Sequence, residues 1–372
     1  MENMNNSDKL KILVLRLSSM GDIVLTFPFV RLLRKKFPDA QIDYVVKKRY
    51  DELIKSNKNI SKVYSFDSQK GFNELKRLKR LIKSEKYTYI FDIHRSLRSY
   101  YLRKFSGAKK VFLYKKYRIK RWLLINLNIN LYNTVTPVYK AYINSARRLG
   151  LTDDNEGFDF NLDDKYLNKI DDILKEKDIN SKDFLVALCP GSGHESKSWT
   201  VEGFSGVGKF FVSKCGAEIL FIGGENDFDK GEMIKKIIGD GIHNFCGRLS
   251  IMESAALISK CSLIIANDAG PMHLAEALSK NLVAIFGPTV EEFGFFPINT
   301  NAVVVQKLIF CRPCSNNGWK KCHKKETECL NEISSDDVIN ACLNLINNSN
   351  MNKSNKEYIS LCNGSGFSYI NI

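Results

Sequence analysis

The sequence has no long apolar run. A bilayer-spanning helix needs roughly 18 to 20 apolar residues in succession, and the early stretch Ile12 to Leu17 is interrupted by Arg16. That stretch is also too short for a signal-peptide core. A cytoplasmic protein is therefore expected, associating at most peripherally with the inner face of the cytoplasmic membrane. Ten cysteines in 372 residues do not suggest a disulfide scaffold, because a cytoplasm keeps most thiols reduced. No GxGxxG motif follows a strand, so nicotinamide dinucleotide binding is not supported. Stacking aromatics in a recognisable nucleic-acid motif are also missing, and no nucleic-acid partner is expected.

What is present is a chain of 44% hydrophobic and 26% charged residues, long enough for two domains of ordinary size. Its net charge of +15 is unevenly spread. Residues 1–150 hold 34 Lys and Arg against 11 Asp and Glu, and the remainder holds 22 against 30. A basic half suits an anionic surface, although a lysine-rich solvated face would look the same.

Strand and helix patterns alternate along the chain, which implies βαβ units and parallel sheets. The first series opens with the strand Lys11 to Arg16, the small-residue turn Ser18-Ser19-Met20-Gly21 and one amphipathic helix from Asp22 to Lys36. Strands at 42–46, 63–66, 89–93 and 111–114 follow, with helices at 72–86 and 97–105. The polar stretch Thr152 to Asp164 ends this series. A second begins with a helix at 165–177, the strand Phe184 to Cys189 and the turn Pro190-Gly191-Ser192-Gly193. The expected architecture is α/β: two Rossmann-like domains at 10–164 and 165–346, facing each other across a cleft. A disordered tail is expected at 1–9 and a flexible one at 347–372.

Four strand-end loops carry chemistry that suits phosphate. Asp22 stands at a helix start; alone it reads as a first-turn carboxylate. In Asp268-Ala269-Gly270-Pro271-Met272-His273, Pro271 suits the first helical position, which would aim the N–H groups near Ala269 and Gly270 at an anion. Asp268 could equally cap that helix. Gly191 lies in a glycine-rich turn, and Lys197 beyond it could neutralise a pyrophosphate. Gly223-Gly224 follows a fourth strand on the same edge.

Taken together and in order, these motifs and Gly287-Pro288-Thr289 resemble glycosyltransferase family 9, which contains the ADP-heptose:lipopolysaccharide heptosyltransferases. The resemblance runs from about Lys11 to Ile346. It implies a GT-B fold, inverting transfer without a metal, no cofactor, and a nucleotide-diphosphate-sugar donor. By motif, Asp22 resembles the general base. Lys197, Asp268, Ala269, Gly270, His273 and Gly191 resemble donor-binding positions. Ala269 departs from the Thr or Ser of many members. Ser19, Arg95 and Arg98 resemble acceptor-side positions, and guanidinium groups suit phosphates or acidic sugars. The implied partners are an ADP-sugar, a lipid-linked phosphorylated glycan and, transiently, an anionic membrane surface. Lys115, Lys116, Arg118, Lys120 and Arg121 are candidates for the last contact.

Cys311, Cys314, Cys322 and Cys329, with His323 adjacent, form a C-x2-C-x7-C-x6-C pattern. One CxxC supplies half a zinc site, and the paired knuckle of a zinc ribbon is missing. Packing thiols or a redox-sensitive pair fit the pattern better. The expected reaction is heptosyl transfer from ADP-heptose to a lipopolysaccharide core acceptor. The alternatives are a relative using another nucleotide sugar for cell-surface glycan synthesis, and a GT-B-fold sugar-nucleotide epimerase.

Overall fold

A computed structural model describes residues 10–180, 183–318, 322, 324 and 326–348. The N-terminal segment 1–9, residues 349–372 of the C-terminal tail and His323 lie outside the described residues. The chain divides into two compact units. One is residues 1–117 with 136–161, and the other is residues 118–135 with 162–372.

The first unit is built on β1 (Lys11–Leu15), α1 (Met20–Val24), α2 (Phe27–Lys36), β2 (Gln41–Lys47), α3 (Asp51–Lys55), β3 (Lys62–Phe66), α4 (Gly71–Glu85), β4 (Tyr89–Asp92), α5 (Leu97–Arg103) and β5 (Lys110–Leu113). Next come α6 (Arg118–Leu127), which belongs to the second unit, and α7 (Val138–Asn144), which belongs to the first. The strands are parallel in the order β3-β2-β1-β4-β5. Central β1 is buried on both faces from Ile12 onward, as helices packed on both sides of a parallel sheet require. Strand order reverses between β1 and β4, and there the strands leave a crevice beyond their carboxyl ends.

The second unit adds α8 (Asp164–Glu176), β6 (Leu185–Cys189), α9 (Val201–Cys215), β7 (Glu218–Phe221), α10 (Phe228–Ile238), β8 (Ile242–Asn244), α11 (Ile251–Lys260), β9 (Leu263–Asn267), α12 (Gly270–Ala277), β10 (Leu282–Phe286), β11 (Ala302–Gln306), α13 (Glu328–Asn331) and α14 (Ser335–Asn348). Its parallel sheet runs β11-β10-β9-β6-β7-β8, and its reversal falls between β6 and β9. Val186, Leu188, Ile265, Ile285 and the fully buried Trp199 belong to its core.

Two boundaries differ from the sequence expectation. The helix expected over 22–36 is two helices, because Pro28 sits in the first turn of α2. Proline cannot donate to the preceding turn, and its ring clashes with the carbonyl four residues back. Residues 118–135, expected within the first domain, group with the second unit, and the later division falls at 161/162. Long-range side-chain bonds account for this: Arg121 Nη2 donates to Phe293 O at 3.0 Å, and Asn130 Nδ2 donates to Glu292 Oε1 at 2.8 Å.

Candidate active-site residues

In the first unit the crevice between β1 and β4 holds Asp22. Arg16, just past the end of β1, is buried; its Nη2 lies 2.5 Å from Asp22 Oδ1, and its Nη1 donates to Ile93 O beyond β4 at 2.8 Å. One guanidinium thus ties Asp22 to both central strands. The other carboxylate oxygen accepts from Ser19 N at 3.2 Å and Ser19 Oγ at 2.7 Å, while Tyr142 Oη on α7 donates to Oδ1 at 3.2 Å. Burial by itself would raise the Asp22 pKa. The Arg16 charge and the Ser19 bonds outweigh it and hold the carboxyl at about 2. Burial opposes the charge on Arg16, yet Asp22 and the surrounding tyrosines raise its pKa further.

Arg95 and Arg98 follow β4. Asp92 Oδ1 accepts from Arg95 N at 2.7 Å, and its Oδ2 accepts from Arg103 Nε at 2.9 Å. Arg95 Nη1 donates to Tyr114 O at 2.9 Å, while Arg98, on the first turn of α5, is exposed and lies over the Phe66 ring. His94 beside them is pushed down to about 3, first by burial and then by the Arg16 and Lys116 charges, so it is neutral at physiological pH.

The second unit repeats the placement with other residues. Asn267, the last residue of β9, is buried and cross-links the crevice. Its Nδ2 donates to Pro190 O at 2.9 Å, and its Oδ1 accepts from Trp199 N at 3.0 Å. Asp268 follows; its Oδ2 lies 2.5 Å from Lys197 Nζ and accepts from Thr289 Oγ1 at 2.7 Å. Asp268 does not cap α12. The N-cap is Ala269, extended and without a side-chain bond. The first-turn N–H groups of α12 therefore carry no side-chain cap, close in sequence to the residue that holds the Lys197 ammonium. This suits an anion. His273 sits in that first turn, buried, with Nδ1 3.5 Å from Glu276 Oε2.

Gly191 has a structural requirement of its own. A Cβ there would stand 2.1 Å from Asp227 Oδ2, so any larger residue would have to displace that carboxylate. Lys230 closes the same loop from below, donating to Ser198 Oγ at 2.7 Å and Trp199 O at 2.5 Å, and burial brings it down to about 8.

Cys311, Cys314, Cys322 and Cys329 are thiols outside any disulfide, and among the described residues no group of three or more His, Cys, Asp or Glu side chains is placed to hold a metal ion. Burial, with neighbouring thiols, lifts Cys314 to about 11. Burial also lifts Cys329 to about 12, with the Arg312 charge opposing it and the other thiols adding to it, so both stay protonated at neutral pH.

The structure thus gathers Ser19 and Asp22 in one crevice, and Gly191, Lys197, Asp268, Ala269, Gly270 and His273 around another. Sequence reasoning misses three contributors. Arg16 reads only as an interruption of an apolar run, Tyr142 carries no signal, and Thr289 stands inside a recognised motif without a role.

Two parallel-sheet units, each with polar groups converging at the strand-order reversal, make up the GT-B fold class. The family model described as glycosyltransferase family 9 (heptosyltransferase) matches residues 75–325. The chain belongs to that family and is a glycosyltransferase. It is 25% identical over 317 residues to lipopolysaccharide heptosyltransferase 1 of Campylobacter coli, covering 79% of this chain and 89% of that one. Among solved structures, a glycosyltransferase family 9 protein of Veillonella parvula superposes with a TM-score of 0.76 at 23% identity, covering 93% of this chain and 100% of the other. The E. coli ADP-heptose lps heptosyltransferase II superposes with a TM-score of 0.72 at 20% identity, covering 90% and 98%.

Proposed function

We propose that this enzyme transfers a heptosyl group from ADP-heptose to a lipopolysaccharide core acceptor carried on lipid A, with inversion and without a metal ion. The donor and acceptor classes are those for which the similar proteins are named. The observation that carries the reading is the Lys197–Asp268–Thr289 arrangement at the uncapped start of α12. An ammonium and a helix N-terminus supply the charge that a leaving diphosphate needs, which is the service a divalent cation would otherwise perform.

In this reading the acceptor hydroxyl oxygen attacks the anomeric carbon from the face opposite ADP. The new C–O bond forms as the bond to the β-phosphate oxygen breaks, and ADP leaves with the electron pair. Asp22 takes the hydroxyl proton. At about 2 its carboxyl is ionised throughout the neutral range but only weakly basic. The proton accordingly moves late, after the attacking oxygen has become acidic by bonding. Arg16 and Ser19 hold the carboxylate still, and Tyr142 donates to the Arg16-paired oxygen. Ser19, Arg95 and Arg98 contact acidic groups of the acceptor, and the enzyme works peripherally at the cytoplasmic membrane face. No helix among the described residues is long and apolar enough to cross a membrane.

Thermal-shift comparison of ADP, UDP, GDP and CDP tests the donor first. ADP is expected to stabilise the protein selectively, and selective stabilisation by another nucleotide would overturn the ADP-sugar assignment. ADP release from ADP-heptose that depends on added acceptor tests the transfer itself, whereas conversion of donor alone would favour the epimerase reading.

A further inference from the structure

The basic run expected from sequence to be the membrane contact is partly spent on the protein itself. Lys116 Nζ donates to His94 O at 2.8 Å, Lys120 Nζ to Leu131 O at 2.7 Å and Arg121 to Phe293 O. A different surface combines exposed apolar groups with cations. On α5 and the residues just after it, Leu97 is 88% exposed, Tyr100 43% and Phe105 75%; Phe72 on the packed helix α4 is 54% exposed. The aromatic groups among them form one connected face, and Leu97 precedes Tyr100 and Tyr101 by three and four residues on α5. The Phe72 and Tyr101 rings lie 5.1 Å apart, Lys79 Nζ sits over Tyr101 at 4.2 Å and over Phe105 at 5.9 Å, and Lys104 Nζ spans Tyr100 and Phe105.

The carboxylates near this face are already matched: Glu74 holds Arg77, and Asp92 holds Arg103. The sequence from Ile93 to Thr152 contains fourteen Lys and Arg and no Asp or Glu. Phe105 adds a second observation. Its φ is +58°, a conformation that costs an aromatic residue energy and that glycine adopts freely. A strained backbone here holds a large apolar ring out in water, where it contributes nothing to the core.

We propose that the α4–α5 face is a docking surface for an anionic phospholipid bilayer. This deepens, and rests on, the reading of a lipid-linked acceptor. Leu97 and Phe105 enter the boundary between headgroups and acyl chains, and Lys76, Lys79 and Lys104 meet the lipid phosphates. Lys76 stands over Phe72 as Lys79 and Lys104 stand over their rings. Ammonium groups over these rings compete with the base stacking that single-stranded nucleic acid would use, while ring edges and an exposed leucine suit lipid. Arg98, a candidate acceptor contact, is on the same helix as Leu97, so docking this face brings the acceptor-binding helix to the bilayer.

Co-sedimentation with phosphatidylcholine vesicles, with and without phosphatidylglycerol, tests the proposal. The wild type is expected to bind the phosphatidylglycerol vesicles preferentially. Leu97→Ser with Phe105→Gly should weaken that binding about tenfold or more while leaving melting temperature unchanged or higher, since glycine relieves the φ strain. Lys76→Gln with Lys79→Gln and Lys104→Gln should weaken it similarly without loss of fold. Equal binding to both vesicle types, retention of binding in both variants, or loss instead in Trp122→Ser on α6 would overturn the proposal. So would a variant-sensitive preference for oligonucleotides, or self-association abolished by the same changes. Vesicle binding needs no donor, and transfer to an acceptor stripped of its lipid chains needs no vesicle. The two readings can therefore fail separately.

Discussion

The two crevices use the same pair of charges in opposite senses. In the first unit Asp22 meets Arg16 at 2.5 Å, and in the second Asp268 meets Lys197 at 2.5 Å. Arg16 is buried and fixed by Ile93 O, so there the cation is scaffold, and the carboxylate is the group to which the proposed mechanism gives the proton. Around Lys197 the carboxylate is also held by Thr289, and the cation is the group that the proposed mechanism sets against the donor diphosphate. One fold position can therefore present either sign.

Breaking the first pair from its acting side should have the largest effect. Asp22→Asn is expected to lower kcat by about a hundredfold to ten-thousandfold with little change in donor KM, and near-wild-type turnover would remove Asp22 from the role of base. Lys197→Ala should lower kcat by about a hundredfold or more and also abolish the ADP-induced thermal shift; loss of turnover with ADP stabilisation intact would place Lys197 elsewhere.

Removing the support sharpens the contrast further. In Arg16→Met the burial of Asp22 goes unopposed by its nearest cation, so its pKa should rise. The wild type should show no acid limb from Asp22 in kcat/KM above about pH 4; the variant should show one, at higher pH than the wild type. Identical pH profiles would mean that Arg16 does not set the carboxyl.

A smaller effect concerns stability. A folded-state pKa of about 2 against the ordinary aspartate value of 3.8 makes the ionised carboxylate worth about 2 kcal/mol at neutral pH. Because the folded pKa is depressed, that contribution is fully present above the unfolded pKa and is lost as pH falls through about 2. Urea unfolding of wild type and Asp22→Asn between pH 7 and pH 2 should converge at the acid end. The smallest effect is expected from Thr289→Val, which removes one bond to Asp268 and should weaken ADP binding by about 1 kcal/mol, read by calorimetry.

Much of the fold is legible in the residues alone. Apolar runs locate most central strands and period-3.6 patterns most helices: β6 (Leu185–Cys189) and α8 (Asp164–Glu176) fall within a residue of where the sequence puts them, because a strand buried on both faces is a nearly continuous apolar run. Shorter elements are not visible in this way: β8 spans Ile242–Asn244 only, and edge strand β11 is half-buried throughout. The partners of the two aspartates are equally hidden. Tyr142 lies 120 residues from Asp22 in sequence, and no local pattern encodes such a meeting.

The sequence by itself determined two α/β units, the placement of Asp22 and Asp268 after strands, and the excess of basic charge in the first half. Each of these follows from local periodicity or composition. Only the tertiary structure decided that residues 118–135 group with the second unit, that Asp268 holds Lys197 and leaves α12 uncapped, and that Arg16 holds Asp22 near pKa 2. The reason is physical: charge pairing and desolvation depend on distances in space, and strand-order reversal brings together loops that the chain keeps far apart.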